Sequence, residues 1–423
     1  MDDSGPVTWT DSQGEAPRLV TAPRDGDVSV IADWRQLREF IASIDRQGPI
    51  AVDAERAQSF RYSAKAYLIQ FRQDGCGTKL VDPIALAGTA DIADLSELDA
   101  ALASCEWVLH AASQDLPCLA QLGLRPKRLF DTELAGRLLG LDKVSLSPML
   151  TRYLGIELAK AHSADDWSTR PLPASWLAYA ALDVDYLLAL RDAVSIDLAA
   201  AGKSDWAQQE FEMTITHFAV PPSDDPERWR HTKGLGHLRQ PLQLAVARNL
   251  WLVRDELARK LDIFPGRILP DTSLVDAALV FSRLTPQEVV DVINTQPGFT
   301  GPLARRQRTA WSGAVTDALT LAPGDMPQRE PRHPIPPHRV WAQLNEAANR
   351  RWEAARPAVL SLAEEHNLPA ENLMTVSTLA ELIWSDSFDG SDAGLRAAMT
   401  RAGARPWQQD LLAAPLAQAL LDI

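Results

Sequence analysis

The chain has 423 residues, 46% of them apolar and 23% charged, with a formal net charge of −14. That length exceeds one ordinary core and predicts two to four domains at roughly 100–200 residues each; the composition excludes collagen, a disulfide scaffold and wholesale disorder. The three cysteines, Cys76, Cys105 and Cys118, lack metal-ligand spacing, which argues against structural zinc and fits a reducing cytoplasm.

In chain order, residues 1–28 open acidic and polar, without the basic start and apolar run of a secretion signal, and read as a mobile lead-in. No run approaches the roughly 18 uninterrupted apolar residues of a membrane span. The spacing of WRQLREFIASI (34–44) predicts a helix, and PIAVDAE after it a short strand. Residues two apart on a strand face the same way, so Asp53 and Glu55 converge at the sheet edge. Hard divalent cations need such oxygen-rich clusters, yet surface strands also end in solvated carboxylate pairs, and the pair alone does not choose. KAYLIQFRQDGCGTKLVD then reads as two strands around an Asp-Gly turn, a hairpin. A helical run through Leu95, Leu98, Ala101 and Leu102 leads to the strand-like EWVLHAA. Asp115 follows, where SQDLPCLAQLG opens a helix; it is either a ligand or a helix-start acid favoured by the macrodipole. Several helices continue to about 215. In SWLAYAALDVDYLLAL, Tyr179 and Asp183 lie four apart and share one face, whereas Asp185 lies on another. A half-buried tyrosine beside a surface aspartate is the competing reading. Strands first and helices interleaved predict one mixed α/β domain over 29–220, closed by a Pro-rich linker at 221–226.

Beyond the linker the pattern is wholly helical. Residues 238–262 carry apolar spacing, ILPDTSLVDAAL and LTPQEVVDVI each start with a polar residue suited to a helix N-terminus, and a second break runs from Pro323 to Pro337. EEHNLPAENLMTVSTLAELI echoes RKLDIFPGRILPDTSLVDAAL. Pro265 aligns with Pro369, Leu269 with Leu373 and Ser273 with Ser377, an offset of 104 (369 − 265). Two tandem helical modules are expected, at 228–322 and 337–423. Between Arg228 and Arg332, 15 basic residues face 10 acidic ones, a local net of +5 (15 − 10) in an acidic chain. Such a patch permits a polyanionic partner without demanding one.

Asp-x-Glu, an Asp about 60 residues on and Tyr-x-x-x-Asp about 65 further together form the pattern of exonucleases with four acids and a tyrosine. In detail the chain resembles the ribonuclease D family: VDAE, SFRYSAKAYLIQF, HAASQDL, DTELAGRLLG, KAHSADDWSTRPL and YAALDVDYLLAL occur in family order across about 30–215. Residues 236–320 resemble the HRDC module (helicase and ribonuclease D C-terminal), and 337–420 looks like a divergent second copy. The resemblance implies a ribonuclease H-like α/β exonuclease domain with a mixed central sheet, followed by two all-α HRDC-like domains. It further implies that Asp53, Glu55, Asp115 and Asp183 hold two divalent cations, Mg²⁺ or Mn²⁺. Tyr179 would orient the attacking water in a two-metal displacement releasing nucleoside 5′-monophosphates from RNA 3′ ends. A cytoplasmic monomer acting on RNA with a single-stranded 3′ end, tRNA precursors among them, is expected.

Weaker substrate assignments are Gln70 and Phe71, whose family counterpart lies near the terminal nucleotide, against an ordinary strand with an exposed glutamine. Lys160 and Arg170 suit phosphate, or are solvated surface. Arg305, Arg306 and Arg308 beside Trp311 offer cations and a stacking ring for single-stranded RNA, or a charged helix face over a core tryptophan. His110 reads as packing. A DNA-directed exonuclease and an inactive RNA-binding protein on the same fold are the rivals. Survival of all four acids and the tyrosine disfavours the second. A helicase is excluded because Asp197 stands where the phosphate loop ending at Gly202–Ser204 needs glycine. No Gly-x-Ser-x-Gly or His-Glu-x-x-His occurs to support other hydrolases.

Overall fold

The computed structural model describes residues 16–26, 28–159, 162, 164–221, 225–329, 335–385 and 391–420. Lys160 therefore lies outside the described residues, as do residues 1–15, 222–224 of the first linker and 330–334 of the second. Eight strands are described: β1 (Arg18–Val20), β2 (Val30–Ile31), β3 (Ile50–Arg56), β4 (Ala66–Gln73), β5 (Gly77–Val81), β6 (Glu106–Leu109), β7 (Arg128–Asp131) and β8 (Ile156–Leu158).

Strands β2 to β7 form one mixed sheet in the order β2-β5-β4-β3-β6-β7. Antiparallel pairing joins β3 to β4 and β4 to β5, and parallel pairing joins β3 to β6 and β6 to β7. Gly75 closes the β4–β5 hairpin at φ 86°, a left-handed conformation that costs glycine little. Helices cover both faces, so β3 and β4 are almost continuously buried instead of alternating. On one face α1 (Trp34–Ser43), capped by Asp33, packs Phe40 against Phe71 with ring centroids 5.7 Å apart. Two short helices, α2 (Leu116–Gln121) and α3 (Thr132–Leu138), follow β6 and β7. Across the other face lies α4 (Ala174–Asp185), against β3, β4 and β5, with α5 (Leu187–Ala200) and α6 (Ser204–Phe218) beyond it.

The reading of 1–28 as a lead-in is corrected for its described part. β1 pairs in parallel with β8. Arg72, on β4, meets Asp25 at 2.6 Å and the fully buried Asp185 at 2.9 Å. Asp185 also accepts from the Arg24 backbone N–H at 2.8 Å. Asp185, expected on another face from Asp183, is thus the buried anchor that fixes the C-terminal end of α4 over the sheet.

The helical region comprises α7 (Pro241–Leu261), α8 (Asp271–Phe281) and α9 (Arg308–Leu319), then α10 (Glu346–Glu365), α11 (Val376–Trp384) and α12 (Pro406–Leu420), with shorter helices between. Both modules run long helix, left-handed residue, single helical turn, extended residue, helix. The left-handed residues are Asp262 (φ 47°), which caps its helix, and Asn367 (φ 48°), one residue past the His366 cap, and the extended residues are Leu269 and Met374. The structural offset is 105 (367 − 262), one residue more than Pro265 and Pro369 suggest. Backbone position, and not proline identity, is what repeats.

The modules attach differently. The residues of the second share one continuous core with the sheet domain, whereas those of the first form a core of their own. No described helix is long and apolar enough to cross a membrane.

Candidate active site

On β3 the side chains of Asp53 and Glu55 face α4, and the pleat puts Val52 and Ala54 on the α1 side. From α4, Asp183 descends onto the same spot. One carboxylate oxygen from each of Asp53, Glu55 and Asp183 lies within 4.8 Å of the others. Small Ala180 and Ala181, fully buried on α4, let that helix approach the sheet closely. Asp115, at the start of α2, joins from the adjacent strand end. Its carboxyl neighbours that of Asp53, whose charge adds to burial in holding Asp115 above the usual carboxylate range.

The electrostatics are those of acids crowded out of water. Burial raises Asp53, Asp115 and Asp183 above the usual carboxylate range. Glu55 is pushed up to about 10, first by burial and then by the charges of Asp53, Asp183 and Asp115. Tyr179 stands one turn before Asp183, and burial together with that carboxylate's charge drives its phenol well above normal. A partly to fully buried, mutually repelling set of hard oxygen donors fits a divalent cation.

Two residues the sequence reading passed over shape this centre. Arg56 follows Glu55; its Nη1 donates to the Gln114 carbonyl at 2.6 Å and its Nη2 lies 3.5 Å from Asp115. The signal was an arginine adjoining an Asp-x-Glu pair. Asp131, 3% exposed, ends β7 and caps α3. Its Oδ1 accepts from Ala111, Glu133 and Leu134 N–H groups at 3.0, 3.0 and 3.2 Å, and its Oδ2 accepts from Ala112 N–H at 2.8 Å. Burial raises Asp131 to about 6 against those donors. It holds Ala111 in its left-handed turn (φ 60°), the turn that sends the chain from β6 to Asp115. An aspartate at a strand end just before a helix was the legible clue.

The weaker assignments divide. Gln70 pairs directly across from Asp53 on the same face. It is fully buried with both amide atoms unpartnered, not an exposed strand residue. Phe71 is corrected: it points to the opposite face and is sealed against α1. Arg170 is corrected as well, because all five donors are taken. Nε and Nη2 clamp Asp82 at 2.8 and 2.9 Å, Nη2 also reaches the Tyr67 carbonyl, and Nη1 bonds the Trp167 and Thr169 carbonyls. Trp311 has no exposed face: it is 0% exposed, and its indole donates to the Ala304 carbonyl. Arg305, Arg306 and Arg308 remain exposed. His110 bonds the Thr132 hydroxyl at 2.9 Å, and burial lowers it to about 4, which fits packing.

Residues 28–198 match the family described as 3′-5′ exonuclease, 243–294 match the HRDC domain, and 334–420 match the 3′ to 5′ exonuclease C-terminal domain. The ribonuclease D of Zymomonas mobilis is 31% identical over 72% of this chain and 76% of its own. That of Nitrobacter hamburgensis is 29% identical over 67% and 70%. A solved protein from Bifidobacterium adolescentis is 34% identical, covers 96% of this chain and all of its own, and superposes with a TM-score of 0.85. Escherichia coli RNase D, at 24% identity, shares the fold over 93% of this chain with a TM-score of 0.66.

Proposed function

The chain belongs to the ribonuclease D family of 3′→5′ exoribonucleases, and from that premise we propose how its residues divide the work. Asp53, Glu55 and Asp183 share a divalent cation, and Asp115, beside Asp53, serves a second; Mg²⁺ and Mn²⁺ both suit such donors. When bound, two such ions activate water and stabilise the entering and leaving oxygens of an in-line displacement. Tyr179, one turn from Asp183 and with a phenol far from ionising, orients a water instead of deprotonating it. Asp131 holds the turn that delivers Asp115, and Asp185 keeps α4 seated so that Tyr179 and Asp183 face β3. Residues 29–220 carry this chemistry, and the modules at 228–322 and 337–423 extend it. The substrate is RNA with a single-stranded 3′ end, tRNA precursors included, acted on by a monomer in the cytoplasm.

The observation that supports this most is the convergence of three carboxylates from two elements 128 residues apart (183 − 55). The test uses 5′-labelled RNA and matching DNA with Mg²⁺, Mn²⁺ or chelator, for the wild type, Asp53→Asn and Asp183→Ala. A metal-dependent ladder from the RNA 3′ end, absent in both variants, is expected. Equal shortening of DNA would remove the sugar preference. Unchanged ladders in the variants would remove the site assignment.

A further inference from the structure

A cleft of about 310 Å³ opens where the loop after β3 meets the first helical module, a volume typical of small-ligand sites. Gln58, three residues beyond Glu55, already lines it. At about 3.3 Å per residue, the cleft begins within roughly 10 Å of the acidic centre along the chain. The loop is held from the module by the Phe264 N–H on the Phe60 carbonyl (3.0 Å), Arg267 Nε on the Ser59 carbonyl (2.7 Å) and the Ser63 N–H on Asp262 (2.9 Å).

The lining joins cations to π faces. Its acids are already matched, Asp255 by Arg228 and Asp271 by Arg254. Arg61 spends only its Nε, on the Ser168 hydroxyl at 2.7 Å, and the other nitrogens of its guanidinium have no hydrogen-bond partner among the described residues. Arg228, 45% exposed, spends its Nη2 on the Tyr62 hydroxyl at 2.7 Å and on Asp255, and its Nε and Nη1 have no hydrogen-bond partner among the described residues; its guanidinium lies 5.7 Å from the Tyr62 ring and 5.2 Å from the Trp251 ring. Phe264 stands 40% exposed at the edge. Free guanidinium nitrogens beside an exposed ring are what a phosphate joined to a base requires.

We infer that this cleft binds one unpaired nucleotide, its base against Phe264 and Tyr62 and its phosphate on Arg61 and Arg228. Such a unit has two sources, an internal nucleotide of the RNA upstream of the 3′ end and a free nucleoside monophosphate; the cleft opens beside the centre where the 3′ end is held, and the first is its occupant. The inference rests on the exonuclease reading and places the module's RNA contact here, not at Trp311.

The experiment measures, in chelator, binding of a labelled 3′-overhang RNA to the full chain, to Phe264→Ala and to Arg61→Gln, with uridine 5′-monophosphate as competitor. Each variant should weaken RNA binding about ten-fold, as loss of a stacking platform does. The Tm gain on adding Mn²⁺ should match wild type, showing an intact fold and acidic centre. Competition by uridine 5′-monophosphate should be equal in wild type and variants. Loss of that competition together with RNA affinity would assign the cleft to free nucleotides and overturn the RNA occupant. RNA affinity unchanged in both variants would overturn the site. Failure of the exonuclease reading would appear separately, as no hydrolysis by wild type while the binding losses persist.

Discussion

The two helical modules share an element order yet hold the exonuclease domain in opposite ways. The second is fused to it. Trp407 stacks on Trp206 with centroids 4.8 Å apart and donates to Glu210 at 2.8 Å, and Arg405 meets the same carboxylate at 2.6 Å. Lys203, 6% exposed, gives its ammonium to the Leu138, His366 and Asn367 carbonyls. Gly140 leaves no room for a Cβ against the Asn367 backbone. Among the described residues the first module holds the loop after β3 through the Ser59 and Phe60 carbonyls, the Ser63 N–H on Asp262, the Tyr62 hydroxyl on Asp255 at 3.0 Å and the Arg267 guanidinium 4.1 Å over Phe60. The second module is part of the scaffold, and the first sits beside the acidic centre on weak polar contacts. Cooperative unfolding should therefore follow core continuity and not the repeat boundary.

The largest effect is expected at the fused seam. Trp407→Ala should cost about 3–5 kcal/mol and lower the main calorimetric transition, with exonuclease activity lost along the same curve. A shift confined to a minor transition would mean that the second module folds apart.

Within the fused unit, Asp131→Ala should leave the Ala111 and Ala112 N–H groups unmet and displace Asp115. Steady-state kinetics should show kcat down about 100-fold, the scale of a roughly 1 Å misplacement, with weaker metal activation. Retained kcat would show that the β6 turn holds itself.

Metal should stabilise the two units unequally. Divalent cation should raise the melting temperature of the transition containing the sheet and leave the first module's unchanged. The sign with pH follows from Glu55, raised from 4.5 to about 10 by burial and neighbouring charge. Its contribution to metal-free stability is full below 4.5 and is lost as pH rises through 10. Cation binding must expel that proton, so affinity should grow with pH across the same window, with proton release seen by titration calorimetry in buffers of different ionisation enthalpy. Absence of proton release would mean that the cluster is already ionised.

The smallest stability effect belongs to the loose seam. Arg267→Ala removes an exposed cation–π contact worth about 1 kcal/mol or less and should leave the main transition in place. A fall comparable to that of Trp407→Ala would erase the distinction between the modules.

Local pattern made much of this molecule legible. The helix from Trp34, the hairpin around Gly75, the strand at Asp53 and the helix carrying Tyr179 and Asp183 all follow from periodicity and turn residues, because those forces act within a few positions. The acidic residues were singled out through the family resemblance, of which Asp53, Glu55 and Asp183 converge in the structure, and the echo between the helical modules is one residue off the backbone register. What the pattern misjudged were residues whose neighbours lie far along the chain. Arg170 looked like a phosphate contact until Asp82 and Tyr67 took its donors, and Trp311 looked like a stacking ring until Phe299 and Ala304 enclosed it. Asp185 looked set apart from the site until Arg72 and Arg24 closed on it. Hydrophobicity and spacing fix which elements form and which faces are apolar. Whether a given cation, ring or acid ends in the core, in the cleft or at the metal centre depends on packing between elements more than 100 residues apart, and only the tertiary structure decides that.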